Sequence, residues 1–386
     1  MGLGFSDGLS NILSENKNRL FDYQFQSNDA QSDKLENGWI NPLMLQYKKS
    51  YSKQFTDKTV EVGSFTVGID QPIFRSGGIY FAIKYAQALR GANKAEIKLK
   101  KREAIAQAVK LLFEIKKVEL EQKRLILLIQ NDTIDIRQKQ ESYEAGLLES
   151  SFLDQAIIKK NQDEAKRLEL ETTLATLKQN FSLLSDKNPK SLKLPRLKII
   201  PVARYKRNHL ELVRDKLRVK EKEYHTKVTW AKYLPTVSVQ ARYTDEDPNP
   251  LFTIPGIKEQ YYSYGFSISM PLDINMFTDV EASKVEELKS HTELIERKKA
   301  IEKEYNLIIN KLQIIDKKIA LAKKDEKLYK RLYISTKDLE KAGEKTSLDT
   351  AVMYNALEIK KLDREIFALD KQMILLELYT KVENEI

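Results

Sequence analysis

Side chains able to do covalent or metal chemistry are scarce in this chain. There is no cysteine among its 386 residues, which removes disulfides, thiol nucleophiles and thiolate metal ligands together. The three histidines, His209, His225 and His291, are far apart and form no HxxxH pair. No metal site and no cofactor is therefore expected, and each histidine reads as an exposed helix residue. No Ser-His-Asp pattern, P-loop or GxGxxG turn occurs, so the chain does not read as an enzyme. Carboxylates and amines are plentiful, with 56 acidic and 66 basic residues, but they alternate along the chain as on a solvated helical surface. The net charge of +10 is spread in the same way. It lacks the basic stripe with aromatic readers that nucleic-acid binding needs, so no nucleic-acid partner is expected.

What remains is two short stretches that repeat a pattern. Ala145–Ala156 reads AGLLESSFLDQA, and Ala342–Val352 reads AGEKTSLDTAV. Each has a glycine, a few polar residues, then an aspartate and an alanine, between long charged segments. Glycine accepts the left-handed conformation that ends a helix. The polar residues that follow, Ser150, Ser151, Thr346 or Ser347, fit caps of a returning helix. Both stretches read as turns of helical hairpins, centred on Gly146, Leu147, Leu148, Glu149 and Ser150, and on Gly343, Glu344, Lys345, Thr346 and Ser347.

The segments that hold these turns are set by where helix breakers are absent. Residues 92–145, 147–188, 202–234, 279–342 and 344–386 contain neither Gly nor Pro and are rich in good helix formers. At about 1.5 Å per residue the longer ones span roughly 80 to 95 Å. Tyr305, Ile308, Leu312, Ile315, Ile319 and Ala322 step by three and four, as do Leu362, Ile366, Leu369, Met373 and Leu376. That is the spacing of a coiled-coil seam.

Elsewhere the period switches to two. In 235–244, Val237, Val239, Ala241 and Tyr243 alternate with polar residues; in 261–271, Tyr262, Tyr264, Phe266, Ile268 and Met270 do the same. These are strands with one apolar and one polar face. A Pro-rich loop, 245–260, joins them. A weaker pair lies at 43–55 and 64–69, with a turn at Thr56-Asp57-Lys58 and with Lys49 and Lys53 interrupting its apolar side. Landmarks of the two halves recur at similar offsets: 193 from Pro42 to Pro235, 199 from Pro72 to Pro271, 197 from Gly146 to Gly343. An internal duplication of helix, two strands and two long helices is expected. Residues 186–201, punctuated by prolines, link the halves.

A four-stranded sheet with one apolar face must be covered, either by helices or by lipid if several chains close a barrel. The tyrosines on those faces suit the aromatic girdles of membrane barrels. No apolar run approaches the roughly 18 residues of a membrane helix.

These residues resemble the TolC family of outer-membrane efflux proteins. The resemblance runs from about residue 8 to 380. It rests on the Pro-started strands, the QPIF (71–74) and MPLD (270–273) stretches, and the two Ala-Gly turns. It implies a mainly α protein with a transmembrane β-hairpin pair. Three chains would share a 12-stranded β-barrel in outer-membrane lipid, continued by a long coiled-coil α-helical barrel across the periplasm. The implied organisation is an N-terminal segment and first helix (1–38), a first β-hairpin (39–74), a first helical hairpin (75–185), a linker (186–208), a helix (209–234), a second β-hairpin (235–272) and a second helical hairpin (273–386). Tyr243, Tyr262, Tyr264, Phe266 and Ile268 would face lipid. An inner-membrane pump, acting through a periplasmic adaptor protein docked on the tip turns, would feed substrates of an efflux or type I secretion system into a passive duct. The family's tip gate maps onto Lys345 and Asp349, with Asp154 in the first repeat, where Phe152 departs from the pattern. The N-terminus lacks the charged start and apolar middle of a signal peptide, and the resemblance implies that one was removed. A second family departure is the absence of glycine after MPLD, where Asp273 or Asn275 must make the bend. Without the resemblance, a soluble coiled-coil scaffold whose hairpins serve self-assembly is the alternative.

Overall fold

The computed structural model describes residues 12–53, 59–248 and 258–383. In chain order they form α1 (Glu15–Glu36), β1 (Met44–Ser52), β2 (Val60–Phe74), α2 (Gly78–Glu144), α3 (Ser150–Ser182), α4 (Val202–Arg207), α5 (Leu210–Lys232), β3 (Thr236–Glu246), β4 (Gln260–Ser269), α6 (Met276–Lys341) and α7 (Ser347–Thr380). The protein is mainly helical with one small antiparallel sheet. The turn expected at Thr56–Lys58 and most of the 245–260 loop lie outside the described residues. Asp245, Glu246 and Gln260, expected in that loop, belong to the strands instead.

The chain divides into two compact units, each built from separate stretches. One comprises 1–22, 97–211 and 298–386. Its core follows the heptad seam: Tyr305, Ile308, Leu312, Ile315 and Ala322 of α6 are buried, as are Ile366 and Leu376 of α7. The proline-punctuated linker docks on α7 rather than hanging free. The Leu197 N–H donates to Gln372 Oε1 at 2.7 Å, and the Tyr379 hydroxyl donates to the Lys198 carbonyl at 3.0 Å. His209 corrects the expectation of an exposed helix residue. It is fully buried, bridges to Val382, and meets the Tyr205 ring edge-on at 5.1 Å. The signal was absent because the histidine sits between α4 and α5, where no periodic pattern applies.

The other unit comprises 23–96 and 212–297 and contains the sheet. Helix α2 starts well before the glycine-free run and passes through Gly91. A Cβ there would come within 3.2 Å of Leu217, so glycine permits close approach of α5. Strand order is β1-β2-β3-β4, antiparallel throughout. The β2–β3 pairing joins the two hairpins into one sheet. Strand β2 runs far beyond the expected 64–69, and its register shifts between Pro72, opposite Ser238, and Phe74, opposite Val237, so that Ile73 is the bulged residue.

The two strand-to-helix bends differ, as the sequence requires. Before α2, Ser76 and Gly77 take positive φ of 48° and 86°, and the Ser76 hydroxyl donates to the Pro235 carbonyl at 2.8 Å. Before α6, where glycine is missing, Asp273 makes the bend. Its carboxylate accepts from the Asn275 N–H at 2.8 Å and its carbonyl from the Met276 N–H at 3.1 Å.

Candidate functional site

Two features have functional geometry: the paired helical turns in one unit and the two-faced sheet in the other. The turns are built alike. After α2, the Gly146 N–H donates to the Tyr143 carbonyl at 2.9 Å and the Leu147 N–H to the Ser142 carbonyl at 2.9 Å. After α6, the Gly343 N–H donates to Glu340 at 3.0 Å and the Glu344 N–H to Leu339 at 2.9 Å. This is the Schellman pattern at both ends, with glycine at φ of 70° and 80°. Each turn then passes through the same number of residues before the next helix. A Cβ at either glycine would meet nothing within 4 Å, so the backbone conformation alone demands glycine.

The returning helices are capped differently. Thr346 caps α7 in a reciprocal box: its hydroxyl accepts from the Asp349 N–H at 3.2 Å, and the Asp349 carboxylate accepts from the Thr346 N–H at 3.0 Å. Glu149 holds the N-cap position of α3 and makes no side-chain cap, so Ser150 and Ser151 do not cap it. Asp349 also accepts from Gln138 of α2 at 3.4 Å. Leu147 is 81% exposed, and Glu149, Ser150, Gly343, Glu344, Lys345, Thr346 and Ser347 are exposed with it, while Leu148 is half-buried. Asp154 is exposed. Neither Lys345 nor Asp154 has a carboxylate or ammonium partner at ion-pair distance among the described residues, while the Lys345 charge is close enough to Asp349 to help keep that carboxyl ionised.

The Asp349 carboxyl is held below its ordinary value, first by the Thr346 backbone N–H and then by the Thr346 hydroxyl. Because the folded value is depressed, its stabilisation is present above the unfolded value, near 4, and is lost as pH falls through the folded one. Thr346→Ala is expected to cost about 1 kcal/mol, and Ser150→Ala only a few tenths. Amide protection in the first turn of α7, relative to the intrinsic exchange rate at the same pH, should fall in Thr346→Ala, and in the wild type as pH drops below about 4.

One arrangement leading to the turns was not anticipated. Lys117 meets Asp370 at 2.8 Å, Arg124 meets Asp363 at 3.1 Å, Asn355 donates to Asn131 at 2.9 Å, and Gln138 donates to Asp349. The α2 members are seven residues apart, so a polar ladder pins α2 to α7 along one heptad position. The step of seven was visible in the sequence, but so charged a chain offers many such series. Beside it, buried Asp132 of α2 is paired with Lys159 of α3, and Asp163 with Lys166 at 2.7 Å.

The sheet segregates its faces by register. On one, Leu45, Val67, Tyr243 and Tyr262 form a cross-strand row; Ile69, Ala241 and Tyr264 form the next; Val239 pairs with Phe266 and Val237 with Ile268. On the other lie Gln46, Thr66 and Thr244, then Gly68, Arg242 and Ser263, with Asp70 opposite Gln240. Lys49, which interrupts the apolar side, is paired with Glu61 at the loop end of the hairpin. The apolar side chains of β4 stand open: Tyr262, Tyr264, Phe266 and Ile268 are 78, 83, 76 and 67% exposed, and Tyr243 of β3 is 39% exposed. Among the described residues no helix is long and apolar enough to cross a membrane.

With its long helical hairpins and its two-faced four-stranded sheet, the chain shares the fold of solved outer-membrane channels. The chain is similar to the outer membrane protein VceC of Vibrio cholerae, with TM-score 0.75 over 94% of this chain and 92% of that one at 14% identity. It is likewise similar to the CmeC outer membrane channel of Campylobacter jejuni, with TM-score 0.77 over 97% and 84% at 12% identity. The MtrE outer membrane channel of Neisseria gonorrhoeae gives 0.67 over 96% and 87% at 12% identity. No family model matches the sequence, and no curated protein matches it. The resemblance seen in the sequence thus holds at the level of the fold.

Proposed function

We propose that this chain is one protomer of a trimeric, TolC-like exit duct in the outer membrane, a passive conduit reaching into the periplasm. The observation that carries the reading is the sheet. Strands β1, β3 and β4 have 9, 11 and 10 residues, matching the roughly 9 to 11 of a tilted transmembrane strand. One face is apolar and open, the other polar, and among the described residues β1 and β4 each have an unpaired edge. In lipid such edges must be closed by pairing with further copies. Three copies supply twelve strands, whose polar faces line the lumen.

A second surface supports a trimer. Leu307, Ile314, Leu321 and Leu328 of α6 recur every seven residues and are 55, 57, 61 and 43% exposed. They flank the buried Ile308–Ile315–Ala322 seam, so α6 carries two heptad stripes and one chain covers only one of them. Neighbouring protomers would cover the other and close the helices into a tube. The matching turns after α2 and α6 support an origin by duplication.

The tip turns are proposed to dock a periplasmic adaptor, which couples the duct to an inner-membrane pump; exposed Leu147 offers an apolar contact there. A tip gate would use Lys345 and Asp154 across protomer boundaries, with Asp349 divided between that role and its cap. Light scattering of the protein in detergent should give the mass of three chains. A folded, monodisperse monomer in water without detergent would overturn the reading in favour of a soluble scaffold.

A further inference from the structure

At the helix-facing end of the sheet lies a groove of about 1020 Å³. It is lined by apolar side chains of α1, α2 and α5, among them Leu35, Ile79 and Val228, and by Met270 just past β4. Lys34, Arg75, His225 and Lys232 also line it, and among the described residues no acidic one does. Lys232 is shared with Asp279 at 3.7 Å. Lys34 and Arg75 have no carboxylate at ion-pair distance among the described residues. The groove thus joins an apolar bed to a cationic rim.

Its position is informative. Thr236 at the start of β3 and Ser269 at the end of β4 border it, so it adjoins the Val237–Ile268 row that ends the apolar face. Both tryptophans of the chain sit at this level. Trp39 precedes β1 and lines the groove, and Trp230, 43% exposed, lies on α5 one turn and a half before β3. Indole rings concentrate where hydrocarbon gives way to headgroups. Leu272 and Ile274, just past β4, are 92 and 94% exposed, extending apolar surface to the same level.

We propose that this groove binds an anionic phospholipid, with the phosphate held at the rim by Lys34 and Arg75 and an acyl chain laid on Leu35, Ile79, Val228 and Met270. The proposal rests on the outer-membrane reading, since only there does this level meet a lipid headgroup. Charge selects the occupant: Lys34 and Arg75, with no carboxylate at ion-pair distance among the described residues, favour an anionic over a zwitterionic headgroup.

The test is native mass spectrometry of the full-length protein in non-ionic detergent, titrated with phosphatidylglycerol or phosphatidylcholine. Wild type should retain one phosphatidylglycerol per chain. Lys34→Ala with Arg75→Ala should bind it about thirtyfold more weakly, while phosphatidylcholine is retained equally poorly by both. Equal retention of the two lipids by wild type, or unchanged retention by the variant, would overturn the site. So would dissociation of the lipid-free variant into monomers, which would make the groove a contact between copies of this chain. Conductance of the same preparations in planar bilayers separates the two readings: channels without selective lipid retention sink only the lipid site, and a water-soluble protein without channels sinks the duct beneath it.

Discussion

Phe266→Arg combined with Ile268→Arg should abolish assembly in the membrane, while Ser267→Arg between them should be tolerated. The three positions are consecutive in β4, and the pleat sends 266 and 268 to the apolar face, opposite Val239 and Val237, and 267 to the polar face, opposite Ser238. An arginine on the lipid face of a barrel costs about 2–4 kcal/mol near the bilayer centre and less toward its edges. Ile268 lies in the last apolar row, so the larger share falls on Phe266. Repeated in each of three protomers, the two changes cost on the order of 10 kcal/mol or more, comparable with the roughly 5–15 kcal/mol that usually holds a folded protein. Membrane fractionation reads the outcome: the double variant should be lost from the outer membrane, and Ser267→Arg should remain there. Equal behaviour of the three positions would mean that the face is not against lipid.

Ile314→Lys with Leu321→Lys should dissolve the trimer without unfolding the protomer. Both side chains lie on the open heptad stripe of α6, at 57 and 61% exposure. Burying a side chain of this size contributes about 1.5–3 kcal/mol, and the interface repeats three times. Lysines at both positions remove that contribution and set like charges against the neighbouring helix. Scattering in detergent should show the mass falling from three chains to one, with helical circular dichroism retained. Ile315→Lys is the contrasting change: it enters the buried seam, 5% exposed, and should unfold the protomer itself. An intact trimer in the first variant would place the protomer contact elsewhere.

Much of the fold was legible because its signals are periodic or depend on glycine. The alternation in 235–244 and 261–271 marks β3 and β4, and the heptads of α6 and α7 mark the seam. Gly146 and Gly343 stop two long helices because a left-handed residue is needed where no side chain crowds it. The β2–β3 pairing was not legible, since a strand's own sequence does not name its neighbour across a long helical excursion. Burial of His209 was hidden for a related reason: its environment is assembled by Tyr205 and Val382, the latter far along the chain.

The candidate site was read less fully than the fold. The sequence located both turns but not the asymmetry between them. Thr346 and Asp349, three residues apart, could be read as a capping pair, yet the family likeness drew Asp349 toward a gate. The structure shows the carboxylate accepting from Thr346 and Gln138. Serines at the start of α3 have the right chemistry for a cap but lie one position too late, because Glu149 takes the capping position.

Single-channel recording in a planar bilayer tests the duct most directly. Purified wild-type protein should insert and give discrete conductance steps. Lys345→Ala with Asp154→Asn should raise the step size if those residues hold the tip closed, and leave it unchanged if they do not. Protein that is folded by circular dichroism, soluble without detergent, and silent in the bilayer would contradict the account.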